Sequence, residues 1–291
     1  MDNQMSTGPM SGGRSTHHIG VMQGRLVPQI DGRIQAFPWE RWRAEFELAR
    51  RHGFHSIEFV FEAERFDENP IFTDDGAKEI TDLIDRTGIQ VSSICADYFM
   101  DHPFFRVLSS ERERSVEVLA RLIEQAARVG AARVEIPCVD HASITSEEDR
   151  QALLKAVSRC LPVAERHEVE LVFETSLPPA EFRNLLERFH HPLIKANYDT
   201  GNSASLGYDP TEELTTLGEL VANIHIKDRL LHGTTVPLGT GNADFPAVFS
   251  ALSQIGYWGE FILQTARDPD DVGTAVRYRD FVKGYLARSF S

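Results

Sequence analysis

Short apolar runs rich in Val, Ile and Phe recur along the chain, and in the stretches between them apolar side chains return with helical spacing. Eight runs stand out, at 19–26, 56–61, 91–97, 133–137, 169–175, 194–200, 221–228 and 260–265. Strand alternating with helix is the pattern of a parallel sheet covered by crossover helices. The clearest helix signal lies between the third and fourth runs. There Ser110 and Glu113 have capping-box spacing, Leu119, Leu122, Ile123 and Ala126 share one face, and Gly130 is placed to end the helix. Thr145 with Glu148 predicts a second start, and Gly53 and Gly88 predict two ends. Eight alternations leave no long leftover segment, and the first strand–helix turn lacks G-x-G-x-x-G. Both facts predict an α/β chain closed as a (β/α)8 TIM barrel and not an open doubly wound sheet. Residues 1–18, polar and rich in Gly, Ser and Met, are expected to form a flexible N-terminal tail, and residues 19–291 a single barrel catalytic domain.

Composition narrows the partners. With 42% hydrophobic and 25% charged residues, the 291-residue chain has material for a substantial core. Its formal net charge of −14 speaks against nucleic acid, whose binders gain most of their affinity by neutralising phosphates with Lys and Arg. A single phosphate on a small ligand is still within reach of a few local cations. Apolar residues nowhere run for the roughly 18 positions of a membrane helix, so no membrane partner is expected. Cys95, Cys138 and Cys160 are widely spaced and form no C-x-x-C pair, which predicts neither a disulfide framework nor a zinc knuckle. The tail lacks the apolar centre of a signal peptide, and a reducing cytoplasm is the expected location.

In a barrel, strand positions alternate between the helices and the interior, so a polar residue between apolar neighbours near a strand's C-terminal end should face the mouth. Four consecutive runs carry one at the same offset: Phe173-Glu174-Thr175, Tyr198-Asp199-Thr200, Ile224-His225-Ile226 and Leu263-Gln264-Thr265. Any one of them alone is commonly a hydrogen-bonded core group. The shared offset makes Glu174, Asp199, His225 and Gln264 candidate ligands of one divalent metal ion. Two carboxylates, an imidazole and an amide oxygen suit Mn2+, expected first, or Mg2+, Co2+ or Zn2+, and not a thiolate-preferring metal.

Further segments carry a resemblance: Gly20-Val21-Met22-Gln23-Gly24-Arg25-Leu26, Ile57-Glu58-Phe59, Asn197-Tyr198-Asp199-Thr200-Gly201-Asn202, His225-Ile226-Lys227-Asp228-Arg229 and Pro237-Leu238-Gly239-Thr240-Gly241. With these and Val172-Phe173-Glu174-Thr175, the sequence from about Ile19 to Phe290 resembles the xylose-isomerase-like TIM barrels, which include sugar-phosphate isomerases and epimerases. The resemblance implies a metal on Glu174, Asp199, His225 and the strand-eight residue, with the substrate's carbonyl and neighbouring hydroxyl on its open positions and Glu174 as catalytic base. In related epimerases the strand-five and strand-eight residues are both glutamates, which move a proton on opposite faces of an enediolate. Here the eighth strand supplies Gln264. A carboxamide can ligate a metal but takes up no proton near neutral pH, so Gln264 is not a second base. Same-face isomerisation needs only Glu174. Asn202 stands where related epimerases often have a substrate-binding histidine, and it can still donate and accept.

Glu58, Asn202, Lys227 and Arg229 are the candidate substrate-binding residues. Lys227 and Arg229 could hold a phosphate or polarise a hydroxyl, or could form a surface ion pair with Asp228. Glu58 has inward parity and could meet a sugar hydroxyl, serve as the missing base, or pair with Arg25 in the interior. Asp97, His102, Asp140 and His141 follow strands three and four, as mouth residues or as turn residues. Tyr98, Phe99, Phe104 and Phe105 could cover a sugar face or pack beneath the loop. Gly239-Thr240-Gly241 reads mainly as a turn before a helix capped by Asp244, with an anion cradle as the alternative.

These features predict a metal-dependent isomerase or 3-epimerase of a ketose sugar or sugar phosphate, working by proton transfer next to a metal-bound carbonyl. The alternatives are a metal-dependent dehydratase of a keto-cyclitol or keto-sugar acid, and a degenerate barrel that binds a sugar without turnover. Cleavage at abasic DNA sites, also known among these barrels, is opposed by the acidic charge and the placement of the histidines. Barrels of this kind often pair through loops at the mouth, which makes a homodimer the expected assembly.

Overall fold

The structure, a computed structural model, describes residues 17–290. Eight parallel strands form its centre: β1 (Ile19–Met22), β2 (Ser56–Val60), β3 (Gln90–Cys95), β4 (Arg133–Cys138), β5 (Glu170–Thr175), β6 (Ile194–Asp199), β7 (Val221–Ile226) and β8 (Phe261–Leu263). They pair in chain order, and Ile19 of β1 lies opposite Phe261 of β8, so the sheet closes into the TIM barrel that the alternating pattern predicted. Among the described residues, no helix is long and apolar enough to cross a membrane.

Two layers with different chemistry follow from the alternation of side chains along each strand. Outward positions such as Ile57 and Phe59 meet the helices: Trp42 of the helix Trp42–Arg51 sits edge-on to Phe59, ring centroids 6.0 Å apart. Each large side chain buried there contributes about 1.5–3 kcal/mol. Inward positions include buried polar groups. Glu58 on β2 accepts hydrogen bonds from Asn223 (2.9 Å) and His225 (2.6 Å) on β7. Because β1 and β8 lie between those strands, both bonds cross the barrel interior.

The predicted boundaries shift in places. The first run stops as a strand at Met22, and the chain turns at Gly24 with φ of 87°. The eighth stops at Leu263, although the Gln264 N–H still donates to the Ile226 carbonyl at 3.1 Å. The helix expected from Ser110 and Glu113 opens at Ser109, and it is Glu111 that accepts the Leu108 N–H, at 2.9 Å. The start expected at Thr145 falls at Glu147, where Ser146 accepts the Asp149 N–H at 3.1 Å. Gly88 and Gly130 end their helices as predicted, in the left-handed region. Of the expected tail, residues 1–16 lie outside the described residues, whereas His17 stacks on Trp258 and His18 on His55, each pair 4.5 Å apart.

One buried carboxyl fixes the loop that leaves β1. Glu45 accepts the N–H groups of Gly24 (2.7 Å) and Leu26 (3.3 Å). Burial pushes its carboxyl up to about 8, against the pull of those two N–H groups and of Arg267 and Arg25. A raised folded-state value means that the folded chain holds this proton more tightly than the unfolded chain. Its contribution to stability is therefore complete below the ordinary carboxyl range and is lost as pH rises toward 8. Glu45→Gln keeps the acceptor oxygen and removes the charge. Thermal unfolding should show the variant equal to wild type near pH 4 and several degrees more stable near pH 8.

Candidate metal centre and substrate cavity

The C-terminal ends of β5, β6 and β7 bring three predicted ligands together. One ligand atom from each of Glu174, Asp199 and His225 lies within 4.8 Å of the others, and all three residues are buried. His225 Nδ1 is 3.4 Å from Glu174 Oε2 and 3.9 Å from Asp199 Oδ2. On the far side of the ring, Nε2 donates to Glu58 at 2.6 Å, which orients the imidazole so that Nδ1 faces the two carboxylates. Burial alone would raise the Glu58 carboxyl, but the charge of His225 and hydrogen bonds from His225, Ser93 and Asn223 outweigh it and hold the group below its ordinary range.

Each carboxylate is held in turn. Asp199 Oδ1 accepts the N–H groups of Gly201 and Asn202, both at 2.8 Å, and so caps the helix Thr200–Leu206. Its Oδ2 accepts from the Lys227 ammonium at 2.9 Å. Gly201 permits that approach: a Cβ there would stand 2.7 Å from Cγ of Lys227. Glu174 accepts from Asn197 Nδ2 at 2.8 Å on one oxygen and from the Asn202 amide on the other. Burial opposes charge on His225 and Lys227 alike, yet Glu58 and Glu174 lift the imidazole well above its ordinary value, and Asp199 and Glu174 raise the ammonium. The carboxylates thus hold positive charge where little water reaches.

That donor set fits a divalent cation. Two carboxylate oxygens and an imidazole nitrogen converge, and Gln264 adds a buried amide oxygen with no hydrogen-bond partner. A second group, Glu58 with Cys95 and Glu135, also meets the distance condition for a metal. Both oxygens of Glu58 are already bonded to Ser93, Asn223 and His225, and burial pushes the Cys95 thiol well up, which leaves it the poorer donor set.

Beside the cluster opens a cavity of about 580 Å3, of a size that admits a small ligand. Glu174, Asn202, Lys227, Arg229 and Gln264 line it, as do Asp97 and Asp140. Glu58 does not; it is fully buried, with its carboxylate against Nε2 of His225. It is not paired with Arg25, whose Nε donates to the Thr265 carbonyl at 3.0 Å and whose Nη2 donates to Gln35 at 3.3 Å. Arg229 donates to the Gly233 carbonyl and, at 2.8 Å, to Asn202. Asp228 pairs with neither neighbouring cation: it accepts the N–H groups of Gly239, Gly241 and Ala243 at 2.9–3.0 Å. The glycine turn therefore cradles an internal carboxylate. Asp244 caps the helix Phe245–Gln254 as expected. His102 packs on Tyr98, His141 sits on the surface near Asp101, and Tyr98, Phe99, Phe104 and Phe105 are buried.

The cavity residues that were not singled out as site candidates in the sequence include Arg25, Gln35 and Glu135. Glu135 is fully buried with neither oxygen hydrogen-bonded, and burial, with Glu174 beside it, pushes its carboxyl well above the usual range. Its signal was present, since Val134-Glu135-Ile136 has the same apolar–polar–apolar form as the other strand ends. Gln35 lies in an irregular loop, where no periodicity marks it.

A family profile described as "Xylose isomerase-like TIM barrel" matches residues 46–282. Among curated relatives, the L-ribulose-5-phosphate 3-epimerase UlaE of Escherichia coli O1:K1 / APEC is 25% identical over 267 residues, covering 86% of this chain and 92% of its own. The same-named protein of Shigella sonnei (strain Ss046) is 26% identical over 264 residues, with the same coverage. Among solved structures, a xylose isomerase domain protein from Planctomyces limnophilus superposes with a TM-score of 0.74 at 20% identity, covering 94% of this chain and 99% of that one. A D-allulose 3-epimerase from Methylomonas sp. gives a TM-score of 0.74 at 18% identity, covering 93% and 98%. These structural likenesses show the fold.

The geometry predicts separable effects on Mn2+ titrated into chelator-treated protein. Asp199→Ala and His225→Ala should abolish saturable binding of about one ion per chain. Glu58→Gln, which removes a charge that touches only the ligand's far side, should weaken binding about 10–100-fold without abolishing it.

Proposed function

The chain belongs to the xylose isomerase-like TIM barrel family, and from that premise we propose that it is a metal-dependent isomerase or 3-epimerase of a ketose sugar or sugar phosphate. The observation that carries the reading is the position of Glu174, which belongs to the Glu174–Asp199–His225 cluster and also lines the cavity. A base placed there reaches both a cation and a bound small molecule. The naming of relatives as L-ribulose-5-phosphate 3-epimerases supports a ketose phosphate as the substrate class.

Glu174, Asp199, His225 and Gln264 would hold the ion, with Mn2+ the first candidate. When bound, such an ion acts as a Lewis acid on a carbonyl oxygen, a contribution of several kcal/mol to charge stabilisation. Glu174 takes the proton from the carbon beside the carbonyl and returns it. The Asn197 and Asn202 amides, one on each oxygen, hold the carboxylate in place for that transfer. Asn202, Lys227 and Arg229 meet the hydroxyls or the phosphate along one side of the cavity.

Gln264 sets a limit on the reaction. With Glu174 as the only base, proton transfer is confined to one face, which suffices for interconversion of aldose and ketose. Inversion at carbon 3 needs a second group. Glu135 is a fully buried carboxyl that lines the same cavity with both oxygens free of hydrogen bonds.

The test is exchange of one substrate C–H with solvent deuterium across a panel of ketoses and ketose phosphates in the presence of Mn2+. Glu174→Gln should slow exchange by about 10²–10⁴-fold. Glu135→Gln should abolish epimerisation while leaving exchange at the Glu174 face. No exchange with any member of the panel would end the proposal. An unsaturated product absorbing in the ultraviolet would assign dehydratase chemistry instead, and tight binding without exchange or elimination a sugar-binding barrel.

A further inference from the structure

A carboxamide at a ligand position has a problem that a carboxylate lacks: only one of its two ends can bind a cation. The NH2 end of Gln264, turned toward the cluster, would present donors where an acceptor is needed. Something must choose the end. Gln264 Nε2 donates to Gln35 Oε1 at 3.2 Å, which leaves Gln264 Oε1 buried and without a partner.

The choice made at Gln35 is itself fixed from two sides. Its Nε2 donates to Asp97 Oδ2 at 2.6 Å, and a carboxylate only accepts. Its Oε1 also takes a hydrogen bond from Arg25 Nη2 at 3.3 Å, and a guanidinium only donates. Reversing the Gln35 amide would set NH2 against the Arg25 fork and oxygen against the Asp97 carboxylate, losing both bonds. The assignment of oxygen and nitrogen therefore follows from groups whose polarity is not in doubt, and it passes from Gln35 to Gln264 by one further hydrogen bond.

Resting on the metal-centre reading above, we infer that Gln35 is a positioning residue that selects the oxygen end of Gln264 as the fourth metal donor. Gln35 touches neither the ion nor the reacting carbon. It sits in the loop between β1 and the helix Trp42–Arg51, anchored by the buried Phe37, whose N–H donates to Glu62 at 2.8 Å. The strand-eight amide and this loop polarity thus form one functional unit. A glutamate at position 264 has two equivalent oxygens and would need no selector.

That difference supplies the test. Mn2+ is titrated into the full chain, with free Mn2+ read by electron paramagnetic resonance, for wild type, Gln35→Met, Gln264→Glu and the double variant. Gln35→Met, similar in length and without hydrogen-bonding polarity, should weaken Mn2+ binding about 10-fold or more in the wild-type background. In the Gln264→Glu background the same change should leave affinity unchanged within about twofold, or raise it, since Gln35 Oε1 faces a carboxylate there. Equal losses in both backgrounds would show that Gln35 supports only the loop's structure, and no loss in wild type would show that Gln264 needs no selector; either overturns the inference alone. Failure of wild type to bind Mn2+ would overturn it together with the metal-centre reading.

Discussion

The hydrogen bond from His225 to Glu58 runs through the middle of the barrel, and much of the site's order depends on it. It joins strands that are not neighbours in the sheet, so it ties barrel closure to the orientation of a single imidazole. An ionised carboxylate in so dry a place is costly unless every lone pair is answered. Here Ser93, Asn223 and His225 answer Glu58 together. Once that network is in place, the other edge of the imidazole faces the Asn197 amide and, beside it, Glu174 and Asp199. The order at the mouth therefore begins a layer lower, in a residue that does not line the cavity.

The architecture was legible because strand and helix periods differ, and because eight repeats leave few ways to arrange a parallel sheet. The convergence of Glu174, Asp199 and His225 was legible for the same reason, since a common offset on adjacent closed strands becomes a common height in the barrel. The offset does not say which level of the interior a side chain occupies. Glu58 and Glu135 have the same alternation as Glu174, Asp199 and His225; one lies beneath the imidazole and the other lines the cavity, a distinction set by strand register and tilt, which the pattern does not encode. Arg25 and Gln35 were out of reach for another reason. Their places depend on how an irregular loop folds back over the mouth, through contacts such as those of Glu45 with the Gly24 and Leu26 amides.

The cations at the mouth show how ambiguous a charge motif is before its partners are known. Lys227, Asp228 and Arg229 are adjacent in sequence, and three neighbouring charges invite the reading of a local ion pair. In the structure each goes elsewhere: Lys227 to Asp199, Asp228 to loop amides, Arg229 to Asn202 and a carbonyl. They lie just past the end of β7, where the irregular backbone sends successive side chains to different surroundings. Asn202 accepts from both Lys227 and Arg229 and donates to Glu174, so one small amide links the cationic side of the cavity to the buried carboxylate cluster.

The grip of Asp228 on Gly239, Gly241 and Ala243 divides the segment after β7 into a frame and an exposed rim. The frame holds the entry to the helix Phe245–Gln254 against the end of the strand, and Gly241 lies so close to the carboxylate that no side chain fits there. Between the two anchors, Leu230 and Leu231 are exposed, and Thr234 and Thr235 reach the cavity rim. A chain built this way can alter its rim without disturbing the buried cluster at its floor. Evolutionary drift or directed diversification of selectivity would have its freest ground in those few residues, while the glycines beside them stay immovable.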